Sequence, residues 1–317
     1  MDGLHVLEVP TPFPIGPVNC YLLKGERVIL FDCGPRTDEG WDALLAGLKA
    51  HGLVPGDVDA VIITHGHLDH VGNLARFMAA SNAVTYAHPI AVTRLLRHED
   101  DAEEAKRFVF EIMIELGAPE PISREVAERR DSIRSFSEVV AVNHSIEDSS
   151  EVLGLRALHV PGHSPSDTLF VDEALGVAIG GDHVLTVTNP NPLIRRPEPG
   201  QQREKSLVEY QRSLRRTREL GLNRLWPGHG GVIANPTAAI DGILTRHERR
   251  CRRLQEALTE FGPSTPFDLV QRLHPRLDVY FTDLGLSSVL GHLEVLEERG
   301  EVLLEPRNGV IEARLAG

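Results

Sequence analysis

Four ionisable side chains, His65, His67, Asp69 and His70, fall within six residues of the segment Thr64-His65-Gly66-His67-Leu68-Asp69-His70. Imidazoles and a carboxylate at that density call for a cation to accept their lone pairs. The donor set suits zinc, iron, manganese and related divalent ions. Three later clusters bring further donors: Pro161-Gly162-His163-Ser164, Gly180-Gly181-Asp182-His183 and Pro227-Gly228-His229-Gly230. The candidate ligands are therefore seven, His65, His67, Asp69, His70, His163, Asp182 and His229. One tetrahedral zinc takes four ligands and a catalytic zinc three plus water, so seven suit two ions better than one.

Each cluster follows a short apolar run. Val61-Ile62-Ile63 precedes the first, Leu155 to Val160 the second, Val177-Ala178-Ile179 the third and Leu225-Trp226 the fourth; Ile29-Leu30-Phe31 likewise runs into Asp32-Cys33-Gly34. These runs read as buried strands of an α/β protein, whose ends converge on one rim of the sheet where ligands bind. The neighbouring glycines let the backbone turn sharply and approach what is bound. Tyr21 to Leu23 and Val28 to Phe31 read as paired strands around Lys24-Gly25-Glu26, and Trp41 to Ala50 as a helix with Leu44, Leu45 and Leu48 on one face. Residues from about 90 to 143 are charged and helical in pattern, with Phe108, Ile112 and Leu116 at helical spacing. They are expected to be a helical insertion in a catalytic domain spanning 1–239.

A second domain is expected over 240–317. Ile243 to Phe261, Phe267 to Leu273 and Ser287 to Arg299 read as helices, and Val302 to Leu304 and Val310 to Ile311 as strands joined through Asn308-Gly309. Three helices and a hairpin spell a winged helix. This segment carries 10 Arg against 13 Asp plus Glu, a net of −3. A DNA-reading element normally has the opposite sign, so a packing or homodimerisation role is expected.

The chain has 317 residues, 41% of them hydrophobic, and a net charge of −13. Two domains with sizeable cores fit that length, and the charge speaks against a nucleic-acid partner held by bulk electrostatics. Cys20, Cys33 and Cys251 are too few and too widely spaced for a disulfide framework or a Cys-x-x-Cys site. Residues 1–10 lack the basic and apolar regions of a signal peptide, and no run approaches the ~20 apolar residues of a membrane span. A cytoplasmic protein with no membrane partner is expected.

The run Thr-His-x-His-x-Asp-His, followed by Gly-His, Gly-Asp and Pro-Gly-His-Gly, resembles the metallo-β-lactamase-fold hydrolases over roughly residues 15–235, and the C-terminal segment is similar to the winged helix of the lactamase-beta-like-2 branch. The resemblance implies a four-layered αββα sandwich with the metals at one edge. Carried over by position, it implies His65, His67 and His163 on one ion, Asp69, His70 and His229 on the other, and Asp182 bridging. True β-lactamases of this fold lack the His after the motif's Asp and carry a Cys where Asp182 stands, so antibiotic hydrolysis is not expected. The segment Gly162-His163-Ser164-Pro165-Ser166-Asp167 departs from the pattern of the hydroxyacylglutathione hydrolases, which disfavours glutathione thioesters.

The implied chemistry is that of a binuclear metallohydrolase. Two divalent ions, zinc first with iron or manganese as alternatives, hold a bridging water and lower its pKa toward ~7. The resulting hydroxide attacks a small ester, thioester or lactone, with phosphoesters as a side activity. Asp69 is the candidate catalytic carboxylate, orienting the nucleophile; Asp32 and Thr168 are candidates to hold the imidazoles from behind. Phe13 in the loop 11–16, Phe108 and Met113 in the insertion, His183 beside Asp182, and Arg195 and Arg196 in the loop 189–196 are candidate substrate contacts. Three readings compete: a phosphodiesterase or ribonuclease, an iron-dependent sulfur dioxygenase, and a winged-helix DNA-binding regulator. The acidic composition weighs against the first and third, and the full ligand set against the second.

Overall fold

The computed structural model describes every residue except 97–101, 137, 189, 191 and 198–199, and only the backbone of 94, 102, 131, 133 and 134. In chain order, β1 (Leu4–Val9), β2 (Val18–Lys24) and β3 (Val28–Phe31) lead into α1 (Asp38–Ala50), β4 (Ala60–Ile62), α2 (Leu68–Val71), α3 (Leu74–Ala79), β5 (Val84–Ala87) and α4 (Pro89–Leu96). There follow α5 (Ala102–Glu115), α6 (Glu120–Ser132), β6 (His144–Ser145), β7 (Glu151–Val152), β8 (Leu155–His159), β9 (Thr168–Asp172), β10 (Val177–Gly181), α7 (Ser206–Glu219) and β11 (Arg224–Pro227). The chain ends with α8 (Pro236–Phe261), α9 (Pro266–Leu273), α10 (Thr282–Glu298), β12 (Val302–Arg307) and β13 (Val310–Leu315). Among the described residues no helix is long and apolar enough to cross a membrane.

Two compact units form. The first comprises Met1–Glu99, Arg134–Pro190 and Ser213–Ile240, the second Asp100–Ile133, Asn191–Arg212 and Asp241–Gly317. Helices α5 and α6, which the sequence suggests as an insertion among the sheet strands, thus fall in the same unit as the C-terminal segment.

In the first unit, one sheet runs β1-β2-β3-β4-β5-β6 and the other β11-β10-β9-β8-β7. Strands β3 to β6 are parallel and β1 to β3 antiparallel. The continuous apolar runs have a simple cause: both faces of these strands are buried. Ile29 and Phe31 of β3 and Ala60 and Ile62 of β4 join Phe170, Ile179 and Trp226 of the other sheet in one core. Leu30 and Val61, pointing the opposite way, pack with Leu44 and Leu48 of α1 and Phe77 of α3. Helix α1 starts where Thr37 accepts a hydrogen bond from the Gly40 amide (3.0 Å). On the second sheet, Ser213 and Arg216 of α7 donate to the carbonyls of Pro161 (2.7 Å) and His159 (2.9 Å). Helix, sheet, sheet and helix make the four-layered αββα sandwich.

In the second unit α5 packs on α6, and the Leu116 carbonyl at the end of α5 accepts from the Phe267 amide of α9 (3.0 Å). A Thr265–Asp268 capping box opens α9. Helix α10 buries Leu286, Val289, Leu290, Leu293 and Leu296. Arg203 and Lys205 tie the preceding segment to it through Glu294 and Glu297. Strands β12 and β13 pair antiparallel across Asn308 (φ 52°) and Gly309 (φ 83°). Two successive positive φ angles are the type I′ turn that Asn-Gly favours. Three helices and a hairpin follow in the order read from the sequence, with α8 beginning at Pro236 and α10 at Thr282, both earlier than the apolar spacing suggests.

Candidate metal centre

The seven candidate ligands meet in the first unit. His65 and His67 lie on the turn after β4, Asp69 and His70 on α2, His163 on the loop between β8 and β9, Asp182 just after β10 and His229 just after β11. Three groups of ligand atoms lie within 4.8 Å of one another: those of His65, His67 and His163; of His65, His70 and Asp182; and of Asp69, His70 and His229. Ring centroids are 4.5 Å apart for His67 and His163 and 4.1 Å for His65 and His70. Asp182 sits between the groups, with Oδ1 3.4 Å from His70 Nε2 and Oδ2 3.5 Å and 3.6 Å from Nε2 of His163 and His229.

Hydrogen bonds behind the ligands decide which ring nitrogen faces inward. A carbonyl only accepts, so the Pro17 carbonyl takes the Nδ1 proton of His229 (2.7 Å) and leaves Nε2 facing Asp69 Oδ2 (3.2 Å). Asp32 Oδ2 takes the Nδ1 proton of His70 (2.7 Å) and also accepts the Thr64 hydroxyl (2.7 Å). That hydroxyl, its proton committed, accepts in turn from His65 Nδ1 (3.1 Å). Asp32 also accepts the Thr64 amide (2.9 Å) and adopts φ 61° at the end of β3. A non-glycine residue in this left-handed region carries strain that its surroundings must hold, and these three bonds hold it.

Nε2 of His65, His70 and His229 is thus left for the centre. His70 Nε2 and Asp182 Oδ1 are completely buried yet make no hydrogen bond. A buried polar atom without a hydrogen bond is costly, and a cation would supply both atoms with the missing contact. The donor set fits divalent metal. Titration tells the same story. Burial alone would lower His70, but Asp182 and Asp32 hold it well above its ordinary value. Burial and the neighbouring His70 and His67 push His65 well below its own. Burial would raise the Asp69 carboxyl, but His70 and the hydrogen bond from His229 outweigh it and bring it to about 2. Without a cation the cluster balances its carboxylates with protons, and a metal competes with those protons for the same lone pairs.

Backbone contacts close the site. Gly228 has no room for a side chain: a Cβ there would lie 2.2 Å from Asp182 Oδ1 and 2.7 Å from His70 Cε1. The loop carrying it is clamped by Tyr21, whose hydroxyl donates to the Pro227 carbonyl (2.6 Å), and by Asn19, which donates to Pro227 (3.0 Å) and Gly230 (2.8 Å). The Gly228 amide donates to Gly181 (2.6 Å). The sequence reading gives no site role to Thr64, just past β4, or to Asn19 and Tyr21 on β2, whose types carry no signal at those positions.

Other expectations fare differently. Thr168 bonds the Ser166 carbonyl with its hydroxyl (3.0 Å) and reaches the centre only through its amide, which donates to the Thr64 carbonyl (2.9 Å). His183 is fully buried and its Nε2 meets Thr217 Oγ1 (2.8 Å), which removes it from the substrate contacts. Met113 is 2% exposed, a core residue of the second unit rather than a pocket wall. Half-buried Phe108 and the arginines also belong to that unit, where Arg195 faces Glu204 (3.7 Å) and Arg196 pairs with Glu104 (2.7 Å). Of the loop 189–196, Asn189 and Asn191 lie outside the described residues. Phe13 does stand in the first unit, half-buried and edge-on to Phe136 at 5.5 Å.

The sequence profile of the Metallo-beta-lactamase superfamily matches residues 14–229. The chain is 33% identical over 299 residues to the probable metallo-hydrolase YqjP of Bacillus subtilis (strain 168), covering 93% of this chain and 92% of that protein. It is 24% identical over 292 residues to an atrochrysone carboxyl ACP thioesterase of Aspergillus fumigatus, covering 86% and 73%. The crystal structure of a metallo-beta-lactamase family protein from Thermus thermophilus superposes with a TM-score of 0.81 at 29% identity over 99% of both chains. The clustered imidazoles and carboxylates, the paired sheets that carry them and these similarities agree that the chain belongs to the metallo-β-lactamase superfamily.

Proposed function

We propose that the protein is a binuclear metal-dependent hydrolase of small esters, thioesters or lactones, with phosphoester cleavage as a side activity and zinc as the resident metal. The observation that carries this reading is the convergence of seven donors with Asp182 between them, its Oδ1 buried without a hydrogen bond. His65, His67 and His163 would hold one ion, Asp69, His70 and His229 the other, and Asp182 would be shared. When bound, the ions supply Lewis acidity and make a water-derived nucleophile available at neutral pH.

The chain's own groups do the rest. Asp69, kept ionised beside His70 and His229, is the carboxylate placed to accept the proton of the attacking water at an Oδ. Asp32, Thr64 and the Pro17 carbonyl keep three imidazoles in the tautomer that presents Nε2 inward. Phe13, paired with Phe136, offers an apolar surface for an acyl group. The relative named as a thioesterase supports ester-type bonds as the substrate class, at a distance of 24% identity. Buried free thiols at Cys20, Cys33 and Cys251 suit a reducing cytoplasm.

The test is a hydrolysis panel of aryl esters, acyl-CoA, lactones, phosphodiesters, phosphotriesters and RNA, run on metal-loaded protein. Turnover concentrated on the acyl substrates supports the proposal; rapid RNA cleavage with inert esters replaces it with a ribonuclease.

A further inference from the structure

Net charge hides how the charges of the second unit are paired. Several of its carboxylates are engaged: Glu294, Glu297 and Glu298 of α10 each pair with a cation of the 203–212 segment, and Glu305 and Glu312 pair with Arg314 and Arg307 across the β12–β13 hairpin. Four arginines of α8 are not. Arg249, Arg250, Arg252 and Arg253 are exposed, and none of them pairs with a carboxylate among the described residues. Arg246, Arg250 and Arg253 follow at spacings of four and three, which sets them on one face of the helix over about 10 Å.

These groups feel one another. Partial desolvation and the charges of Arg246 and Arg253 push Arg250 below its ordinary value. His274, the residue capping the end of α9, is lowered by burial and then by Arg253 and Arg250, so it faces the same row. Like charges at helical spacing repel, and an acidic chain has carboxylates to spare for neutralising them. None forms an ion pair with Arg250 or Arg253 among the described residues. A ligand carrying two negative charges on a tetrahedral group would balance the row, and the guanidinium fork matches phosphate oxygens.

We propose that Arg250 and Arg253, flanked by Arg246 and His274, form a binding site for a phosphate-bearing small molecule on the second unit. The metal-loaded full chain, wild type and the Arg250→Gln/Arg253→Gln double variant, is titrated calorimetrically with pyrophosphate, with adenosine 5′-monophosphate and with a single-stranded oligonucleotide. One equivalent of pyrophosphate or of the nucleotide should bind the wild type, more weakly as salt rises, and at least tenfold more weakly in the variant at unchanged metal content. Preference for pyrophosphate identifies a free anion as the source, preference for the nucleotide a phosphomonoester; either supports the site. Equal affinity in both proteins, binding confined to the oligonucleotide, or no binding overturns it. Without ligand, the variant should melt higher than the wild type at low salt and converge with it at high salt; a lower melting point at low salt contradicts the repulsion on which the site rests.

Discussion

Adding one methyl group at Gly228 should dismantle the centre without touching a ligand. A Cβ there falls 2.2 Å from Asp182 Oδ1, where ordinary contact begins at 3.4 Å, so one of the two must retreat by about 1 Å. The loop is the less able to move: Tyr21, Asn19 and the Gly181 carbonyl hold it through bonds of 2.6–3.0 Å. The carboxylate therefore gives way, and with it the group proposed to be shared between two ions. A 1 Å misplacement costs on the order of 10²-fold in turnover, and the overpacking roughly 1–3 kcal/mol of stability. Gly231→Ala is the control, since nothing lies within 4 Å of its Cβ position and the residue is exposed. Purified Gly228→Ala should remain folded by circular dichroism, lose metal in competition with a chelator and turn over the best panel substrate about a hundredfold more slowly. A folded variant with wild-type metal content and rate would refute the claim that the closeness of Gly228 to Asp182 positions the site.

Three further outcomes are expected. Asp182→Ala should lose most of one ion and nearly all turnover, read by elemental analysis beside the hydrolysis rate; unchanged stoichiometry would defeat its shared role. Asp32→Asn keeps a residue that tolerates φ 61° but turns one acceptor into a donor facing Thr64 or His70; loss of such an outer partner weakens metal binding roughly 10–100-fold, measurable by chelator titration, and wild-type affinity would count against it. His292 is 2% exposed, donates from Nδ1 to Ser288 (2.6 Å) and is held at about 4 by burial, against the pull of that bond. Because the unfolded chain then binds the extra proton, stability is full above pH ~6.5 and falls as pH drops toward ~4, about 2 kcal/mol of it between pH 7 and 5; urea melts of His292→Leu at the two pH values should show that loss diminished, and an undiminished loss would sink the assignment.

The candidate metal donors are legible in the sequence because the four clusters that carry them each follow an apolar run and contain a glycine, so strand ends and turns can be placed before any contact is known. Asp32 is legible for the same reason. Thr64, Asn19 and Tyr21 are not, because a hydroxyl or amide on a strand or just past its end has no periodic signature and acts only through partners up to 211 residues away. Gly228 reads as a turn former, whereas its closeness to Asp182 comes from the pairing of β10 with β11. His183 and Met113 show the converse: chemistry-bearing types near a motif or on a helix face still go to the interior when packing takes them there. The grouping of α5 and α6 with the C-terminal segment depends on long-range packing that helical periodicity does not encode. The −3 net charge of 240–317 likewise conceals the positive row around Arg250 and Arg253, since a sum cannot say which charges meet.

The most direct measurement is the number of divalent ions held per chain after loading and exhaustive buffer exchange, by elemental analysis against protein concentration. Two equivalents per folded chain are predicted. A folded chain retaining none, or saturating at one, would contradict a centre built by all seven side chains.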